Sequence, residues 1–561
     1  MARDKKKQVT PLVINYAPYG ITLTEHENKL NKHYDGNLKR FRDALQANPY
    51  HVFIDICGMS FVYADNIIMR FKHVAPDAYC RCQYAVYDVL KGNEGDGNTR
   101  MTDVKLAEGV YGLAGETMRH VVTVVCGDPL IHYEPKRHLV AFEQTYKDEL
   151  RVADHLISRV EHGTSAVQHD LSKYQKEGNI ELTDEQMAAL RMVLQNDVCM
   201  INGSAGSGKS QTTKSIVNML DDIGVSYQLL APTGIASKVL RGYTCRPAMT
   251  IHMFLTGAWQ PDYIIIDESS MVSVHLLAAL LAQVGYEPKL VFIADNAQLA
   301  SIQCGSLVQN MIDSGLIPRV ELTKIFRYNS SGIVTMATDI RHGNCGHLGD
   351  NFPDYLFVLE DENNPIGQVV EQYDWLIADG YGVDDIVVLC PFKKTAHGTG
   401  VINAALSNKY NPNKPVRKNS PLKIGDKVVN LKNCYDEGVD NMIANGDIGY
   451  LRNVTYDGKK KEAHVMVEFD CGLRDVHSLS RIEPAMALTV HKIQGGSAKA
   501  VILYVGKAHD FFLSSNLLYV GVTRARERLI IIGDANAIAQ GVKVQQNTER
   551  NTWLKEMLSD D

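Results

Sequence analysis

The chain has 561 residues, 45% of them hydrophobic, which suits about two to four domains with apolar cores. Its formal net charge of −7 excludes a globally basic protein, so any nucleic-acid site has to be a local feature. No apolar run approaches the roughly 20 residues that span a bilayer, so we expect no membrane association and a cytoplasmic protein.

Residues 1–175 are predicted to form a separate, mainly helical N-terminal domain. Residues 1–7 are basic but have no apolar stretch behind them, which is typical of a solvated tail rather than a targeting signal. The cysteines are scattered through the chain, and no pair of CxxC type has a second half nearby. A disulfide scaffold and a zinc site are therefore not expected.

Residues 203–210 match the pattern Gly-x-x-x-x-Gly-Lys-Ser in full. An apolar run at 198–201 precedes them, and a predicted helix over 211–220 follows. Such a loop points backbone N–H groups at phosphate oxygens, while Lys209 adds a positive charge and Ser210 offers a hydroxyl to Mg²⁺. A chance Gly/Ser loop is disfavoured because strand, loop and helix occur in the required order. The predicted nucleotide-binding residues here are Gly203, Ser204, Ala205, Gly206, Ser207, Gly208, Lys209, Ser210 and Gln211.

A second acidic motif follows another short apolar run, at 263–266. This run is predicted to be a buried strand that carries Asp267 and Glu268 at its carboxyl end. Asp267 is placed to hold Mg²⁺, and Glu268 to activate the attacking water. A surface acidic pair is the alternative, but together with the phosphate loop the pair indicates an ATPase or GTPase.

From residue 182 onward, strands and helices are predicted to alternate, which implies mainly parallel sheets covered on both faces. Residues 421–483 break this rhythm with short strands and turns, and predict a small antiparallel barrel. The predicted strands of the alternating part are 198–201, 226–231, 263–267, 290–294, 386–390, 501–505 and 529–533.

Further motifs occur in a fixed order around these two sites. As an ordered set, they resemble the motifs of superfamily 1 helicases, specifically the RecD-like branch (the RecD/Dda type). The motifs are residues 182–188, 231–236, 250–252, 294–299, 322–327, 487–495 and 518–525. Residues 47–65 are similar to the helical N-terminal region of longer RecD-like proteins, and residues 425–449 to their inserted SH3-like barrel.

The resemblance implies an α/β fold with two RecA-like P-loop domains, an inserted SH3-like β-barrel and a mainly helical N-terminal domain. The expected domains are the N-terminal domain at 1–175, the first RecA-like domain at 176–320, the second at 321–420 and 484–561, and the barrel at 421–483.

The resemblance also implies an ATP site between the two RecA-like domains. Lys209 and Glu268 come from the first domain, while Arg327 and Arg524 come from the second and would contact the γ-phosphate. Gln298 would sense the γ-phosphate or position the water. Gln186 would hydrogen-bond the adenine edge and so favour ATP over GTP. ATP and Mg²⁺ are the expected ligands.

Short hydroxyl, imidazole and backbone donors in these motifs suit phosphates and sugars rather than base edges. The expected nucleic-acid track is Pro232, Thr233, His252, Thr489 and His491. Relatives often carry a β-hairpin wedge between the His252 helix and the next strand, but here only residues 256–262 are available. Trp259 in that segment is the candidate for stacking on the junction base pair, and packing of its ring against the rest of the protein is the alternative.

Three departures from the family pattern stand out. Ala294 and Ala300 replace a usual glycine and a common proline, and Gly496-Ser497 lacks the carboxylate that usually follows Gln494-Gly495. The first two are expected to be tolerated, whereas the third removes a contact near the nucleotide or the strand.

The leading prediction is an ATP-dependent DNA helicase that moves 5′ to 3′ on single-stranded DNA and acts on tailed duplexes. Its expected partners are proteins of DNA replication, recombination or repair, and nothing in the sequence requires more than a monomer. The alternatives are a translocase that displaces proteins but unwinds poorly, an RNA helicase, and a DNA-binding recruitment module with a decayed ATPase.

Overall fold

The computed structural model describes residues 16–163, 167–178, 180–326, 331–417, 420–434, 443–456 and 462–559. The chain divides into two compact units. One consists of residues 1–147 with 551–553, and the other of residues 148–550 with 554–561.

The first unit is mainly α-helical over its described residues. Its helices are α1 (Thr24–Tyr34), α2 (Leu38–Ala47), α3 (Phe61–Arg70), α4 (Tyr79–Gly95), α5 (Asp103–Ala114) and α6 (Val121–Gly127). Strands β1 (Met101–Thr102), β2 (Ile131–Glu134) and β3 (Leu139–Phe142) form an antiparallel sheet in the order β1-β3-β2. Asn551 joins this unit by accepting hydrogen bonds from the Thr99 amide (2.9 Å) and the Arg100 side chain (2.8 Å). The assignment of residues 1–175 as one helical domain stays a prediction.

The second unit contains a six-stranded sheet with the order β11-β6-β10-β9-β7-β8, in which every pair is parallel. The helices and strands between residues 143 and 322 are α7 (Glu143–Glu161), β4 (Lys176–Glu177), β5 (Ile180–Glu181), α8 (Asp184–Gln195), β6 (Val198–Gly203), α9 (Lys209–Ile223), β7 (Tyr227–Ala231), α10 (Gly234–Thr244), β8 (Ala248–Thr250), α11 (Ile251–Phe254), β9 (Tyr263–Ile266), α12 (Val274–Val284), β10 (Lys289–Ala294), α13 (Leu307–Ser314) and β11 (Arg319–Leu322). The apolar side chains of β9 and β10 alternate between two hydrophobic cores, one on each face of the sheet, because successive strand residues point to opposite sides.

A second parallel sheet is assembled from two stretches of chain with an antiparallel sheet between them. The first stretch provides α14 (Gly332–Arg341), β12 (Tyr355–Leu359), α15 (Pro365–Ala378), β13 (Ile386–Cys390) and α16 (Thr399–Tyr410). The antiparallel sheet consists of β14 (Lys427–Asn430), β15 (Ile448–Tyr456), β16 (Glu462–Phe469), β17 (Gly472–Asp475) and β18 (Ile482–Pro484). The last stretch provides β19 (Ala487–Thr489), β20 (Ala498–Val505), α17 (Ser515–Thr523), β21 (Ala525–Gly533), α18 (Ala535–Gly541), α19 (Gln546–Glu549) and α20 (Leu554–Met557).

The parallel strands of the second sheet are ordered β12-β21-β20-β13-β19. The antiparallel sheet has the order β17-β16-β15-β14-β18 and its own small apolar core, which includes Leu451, Val465 and Val467. Its description as an SH3-like barrel stays a prediction.

The prediction of an α/β fold with mainly parallel sheets is confirmed. Each predicted strand falls on an observed one, namely β6, β7, β9, β10, β13, β20 or β21. The sequence pattern does not predict β8, β11, β12 and β19, which are the edge strands of the two parallel sheets. An edge strand has one neighbour and is short or partly exposed, so it lacks the continuous apolar run that marks a central strand.

None of the helices in the described ranges is both long and apolar enough to cross a bilayer.

Close packing at the start of α10 gives a stability prediction. A Cβ added to Gly234 would lie 2.2 Å from the Cβ of buried Ala444, whereas one added to Gly242 on the same helix would meet nothing within 4 Å. We expect Gly234→Ala to lower the free energy of unfolding by about 1–3 kcal/mol because of overpacking. Gly242→Ala is the matched control and should be neutral or stabilising by up to about 1 kcal/mol. Equal stability of the two variants in chemical denaturation would contradict the close contact.

Candidate functional site

The phosphate loop, residues 203–210, connects β6 to α9. Gly206 and Gly208 have φ values of +82° and +87°, a region that favours glycine. A Cβ on Gly208 would lie 2.6 Å from Gln186 Nε2, and one on Gly203 would lie 2.5 Å from Ser207 Oγ. The loop is therefore closed tightly enough that a side chain at either position requires its neighbours to move.

The donors of this loop fit a chain of phosphates. Ser207 Oγ is buried and has no hydrogen-bond partner within the described part of the chain. Lys209 Nζ donates to the carbonyls of Gly203 (2.5 Å) and Ser204 (3.0 Å), so its charge lies inside the loop. The 15-residue helix α9 begins at this lysine and adds its positive end. This combination defines a nucleotide-binding loop.

Asp267 and Glu268 stand at the carboxyl end of β9, as expected from the sequence. Asp267 accepts hydrogen bonds from the Tyr243 hydroxyl (2.8 Å) and the Glu268 amide (2.9 Å). Burial raises the pKa of both carboxyls, and the charge of Asp267 raises the pKa of Glu268 further. Glu268 has a φ of +50°, which is strained for a residue with a side chain. The charge of the phosphate-loop lysine, Lys209, partly offsets this rise in the pKa of Glu268.

The fully buried carboxylate of Asp295 joins elements of both parallel sheets at the phosphate loop. The Tyr519 hydroxyl on α17 donates to Asp295 Oδ2 (3.0 Å) and accepts from the Ala205 amide of the loop (2.9 Å). Lys209 Nζ lies 3.6 Å from Asp295 Oδ2, and Arg341 Nη1 at the end of α14 lies 3.7 Å from Oδ1. Tyr519 and Arg341 were not predicted as site residues from the sequence. Tyr519 lies inside one of the helicase-like motifs, whereas Arg341 has no sequence signal.

Arg524 lies in the same site, at the end of α17. It is buried, and its guanidinium donates to the carbonyls of Val520 (3.1 Å) and Gly496 (3.0 Å). Its positive charge opposes the rise in the pKa of Glu268 that burial causes. The Gly496 carbonyl thus contacts this arginine beside the position where the family's carboxylate is missing.

The remaining residues that were predicted to bind the nucleotide differ in their surroundings. Arg327 lies outside the described residues. Gln298 is buried next to Asp295, and its Oε1 has no hydrogen-bond partner among the residues described. Gln186 is buried beside the loop, where its side chain accepts from the Thr183 amide (2.9 Å) and donates to Gly208 O (3.4 Å). Ser210 is exposed at the first turn of α9.

The second part of the site is a cleft of about 790 Å³ that contains the predicted nucleic-acid track. Its walls come from both parallel sheets and from the antiparallel sheet. The lining includes Pro232, Thr233, Thr250, His252, Asn433, Asn445, Thr489, His491, Lys492 and Gln494. Burial lowers the pKa of His491, so its ring is neutral at physiological pH. Trp259 does not line the cleft and is 47% exposed.

The fold and the loop define the class, a phosphate-loop nucleotide-binding protein built on two parallel sheets. Three family models match the chain: an AAA domain at 181–353, a UvrD-like helicase C-terminal domain at 484–532 and an ATP-dependent RecD2 DNA helicase HHH domain at 5–100. These matches confirm the resemblance to RecD-like superfamily 1 helicases.

Individual relatives agree with the family models. The ATP-dependent RecD2 DNA helicase of Deinococcus radiodurans is 30% identical over 393 residues, which cover 67% of this chain and 52% of that protein. The chain thus spans about half the length of this relative. The RecBCD enzyme subunit RecD of Mycolicibacterium smegmatis is 24% identical over 75% of this chain and 82% of that protein. The solved structure of Pif1 helicase from Bacteroides in complex with ADP-AlF3 and ssDNA is 18% identical, with a TM-score of 0.43, and the match covers 65% of this chain and 94% of that one.

The buried positive charge of Arg524, which acts electrostatically on Glu268, predicts a selective effect on catalysis. Arg524→Ala should lower the turnover of a nucleoside triphosphate by about a thousandfold or more, because the positive charge matters most when charge develops in the transition state. Nucleotide affinity should change less than about tenfold. Arg526→Ala removes an exposed arginine two residues away and serves as the matched control. Equal losses of turnover and affinity would instead identify Arg524 as a ground-state phosphate ligand.

Proposed function

We propose that the chain is an ATP-dependent DNA helicase that moves 5′ to 3′ on single-stranded DNA and unwinds tailed duplexes. The observation that carries the proposal is the convergence of both parallel sheets on two sites. Tyr519, on the helix α17 that Arg524 directly follows, contacts the phosphate loop of the first sheet. The same two sheets also line the cleft. The similarity to the ATP-dependent RecD2 DNA helicase and to the RecBCD enzyme subunit RecD supports the same activity.

In this proposal, the chain's own residues bind and activate MgATP. Ser210 and Asp267 would hold Mg²⁺, which when bound neutralises charge on the β- and γ-phosphates. Lys209 would exchange its loop carbonyls for phosphate oxygens. Glu268 would accept the proton of the attacking water. Gln298 would orient that water with its side-chain oxygen, which has no hydrogen-bond partner in the described ranges, and Gln186 would contact the adenine.

The second sheet would complete the site when ATP is bound. Arg524, together with Arg327, would stabilise charge on the transferring phosphoryl group. Because these arginines and Lys209 come from different sheets, ATP binding would draw the sheets together and hydrolysis would release them.

Residues 489–496 give a physical route between ATP and the cleft. Thr489, His491 and Gln494 line the cleft. Gln494 Nε2 also donates to the carbonyl oxygen of Leu299 (3.4 Å), which follows Asp295 closely in the chain. The Gly496 carbonyl accepts from Arg524. A movement of Arg524 would therefore displace the residues that are proposed to hold the single-stranded DNA.

The domain assignment forms part of the proposal. The two parallel sheets would be RecA-like domains at 176–320 and at 321–420 with 484–561. Residues 421–483 would form the SH3-like barrel, and residues 1–175 the helical N-terminal domain. Proteins of replication or recombination are the proposed partners, since one relative is named as a subunit of the RecBCD enzyme.

The second candidate function is a translocase that displaces bound proteins and separates strands weakly. The short connection between α11 and β9, residues 255–262, favours it, because no β-hairpin forms there in the structure.

ATP turnover with and without single-stranded DNA tests the enzymatic part of the proposal. The wild-type protein should hydrolyse ATP faster when the DNA is present. Lys209→Ala should abolish turnover by removing the charge on the β- and γ-phosphates, and Glu268→Gln should bind ATP without hydrolysing it. Lys214→Ala, on a later turn of α9, is the control for Lys209→Ala. Near wild-type stimulated turnover in either site variant would refute the assignment.

Duplexes with a 5′ tail, a 3′ tail or no tail separate helicase from translocase. We expect ATP-dependent unwinding of the 5′-tailed substrate alone. Trp259 is the proposed wedge, so Trp259→Ala should lose unwinding while keeping DNA-stimulated ATPase activity, because stacking on an opened base is worth about 1–3 kcal/mol. Robust ATPase activity without unwinding in the wild type would favour the translocase. Equal effects of Trp259→Ala on both activities would rule out the wedge.

A further inference from the structure

A row of aromatic rings leads from the cleft to the protein surface in the second sheet's domain. His491 lines the cleft, and its ring centroid lies 6.3 Å from that of Phe512. The Phe512 ring lies 4.8 Å from Phe392, which in turn stacks on Phe511 at 5.4 Å with the ring planes 20° apart. The row therefore starts at a predicted nucleic-acid residue and ends at Phe511.

Phe511 is more exposed than any other large apolar side chain in the described ranges, at 78%. It belongs to a 3₁₀ helix, Lys507–Phe512, and its amide donates to Asp510 Oδ1 (2.6 Å). One side of the ring is covered by Phe392, and most of the remaining ring surface faces water. Single exposed apolar residues are common on protein surfaces, but a phenyl ring held nearly parallel to a second ring offers a flat apolar face on which another ring can stack.

A buried histidine that packs next to Phe392 is uncharged. His509 is fully buried next to Phe392, with ring centroids 5.7 Å apart, and burial lowers its pKa to about 4. The buried Cys390 thiol lies 3.8 Å from its Nε2. The histidine and the thiol are thus uncharged at physiological pH, while the Asp510 carboxylate next to Phe511 disfavours a phosphate there, so the ring suits the flat face of a base.

Positive charge is available at the edge of the row. Lys393 and Lys394 follow Phe392 directly, Lys507 begins the 3₁₀ helix, and all three are exposed. Lys393 also contacts Glu483, and Lys507 contacts Glu362. Aromatic faces with lysines beside them are the usual combination for single-stranded nucleic acid, since bases stack and phosphates need cations.

We propose that Phe511, supported by Phe392, is a stacking platform for an unpaired base and extends the nucleic-acid track beyond His491. This inference rests on the proposed function, and it adds a base-directed contact to a track that otherwise offers only backbone-directed groups. A single-stranded ligand is required because paired bases have both faces covered by their neighbours in the duplex.

The test is a comparison of two strands of equal length, an oligothymidine and an abasic oligomer, by fluorescence anisotropy with the full chain. Phe511→Ala should bind the oligothymidine about five- to a hundredfold more weakly than the wild type. Phe511→Leu, which keeps apolar surface without a ring, should lose most of the same affinity. On the abasic strand both variants should lose much less, because no base is present to stack.

Leu359→Ala is the matched control, since it removes an exposed apolar side chain at the edge strand β12 and should bind both strands like the wild type. The proposal is refuted if Phe511→Ala binds the oligothymidine as tightly as the wild type. That result would be expected if Phe511 belonged to a protein-docking surface instead. It is also refuted if the losses on the two strands are equal, or if Leu359→Ala loses as much. A wild-type chain that binds neither strand would refute the proposed function as well.

Discussion

The buried carboxylate of Asp295 is the constraint on which the rest of the site depends. A charge without water requires partners, and removing one partner of a buried ion pair typically costs about 3–5 kcal/mol. Its partners are Lys209 in the phosphate loop, Tyr519 on α17 and Arg341 on α14. They come from both parallel sheets, so satisfying this one charge fixes the loop and the second sheet against each other.

The same constraint explains why the phosphate loop is poised to respond to a ligand. In the structure, the Ala205 amide donates to the Tyr519 hydroxyl, and Lys209 donates to loop carbonyls. Both are groups that a phosphate chain would attract. In the proposed function, a triphosphate competes for them, and the balance shifts the contact between the sheets. The Gln494 side chain and the Gly496 carbonyl continue this contact toward the cleft without a long chain of intermediates.

How much of the fold can be predicted from the sequence depends on how deeply each strand is buried. Central strands such as β9 and β10 are covered on both faces, so a continuous apolar run marks them in the sequence. Edge strands such as β8 and β19 are three residues long and leave no such run. The loop at 203–210 was recognised because its backbone geometry requires glycines at fixed spacing. Arg341 was missed because its role comes from the fold of α14 against Asp295, and arginines at helix ends are common.

The sequence by itself determined the phosphate loop, the acidic pair and the parallel α/β class, because each depends on local geometry or on a short run of similar residues. It also determined which short polar residues belong to one track, through the resemblance of their motifs. Only the tertiary structure decided that Pro232, His252, Thr489 and His491 line one cleft and that Trp259 lies outside it. It also decided that Tyr519 meets the phosphate loop of the first sheet. Such contacts join residues hundreds of positions apart, and their energies come from burying charges and rings together, which no local pattern records.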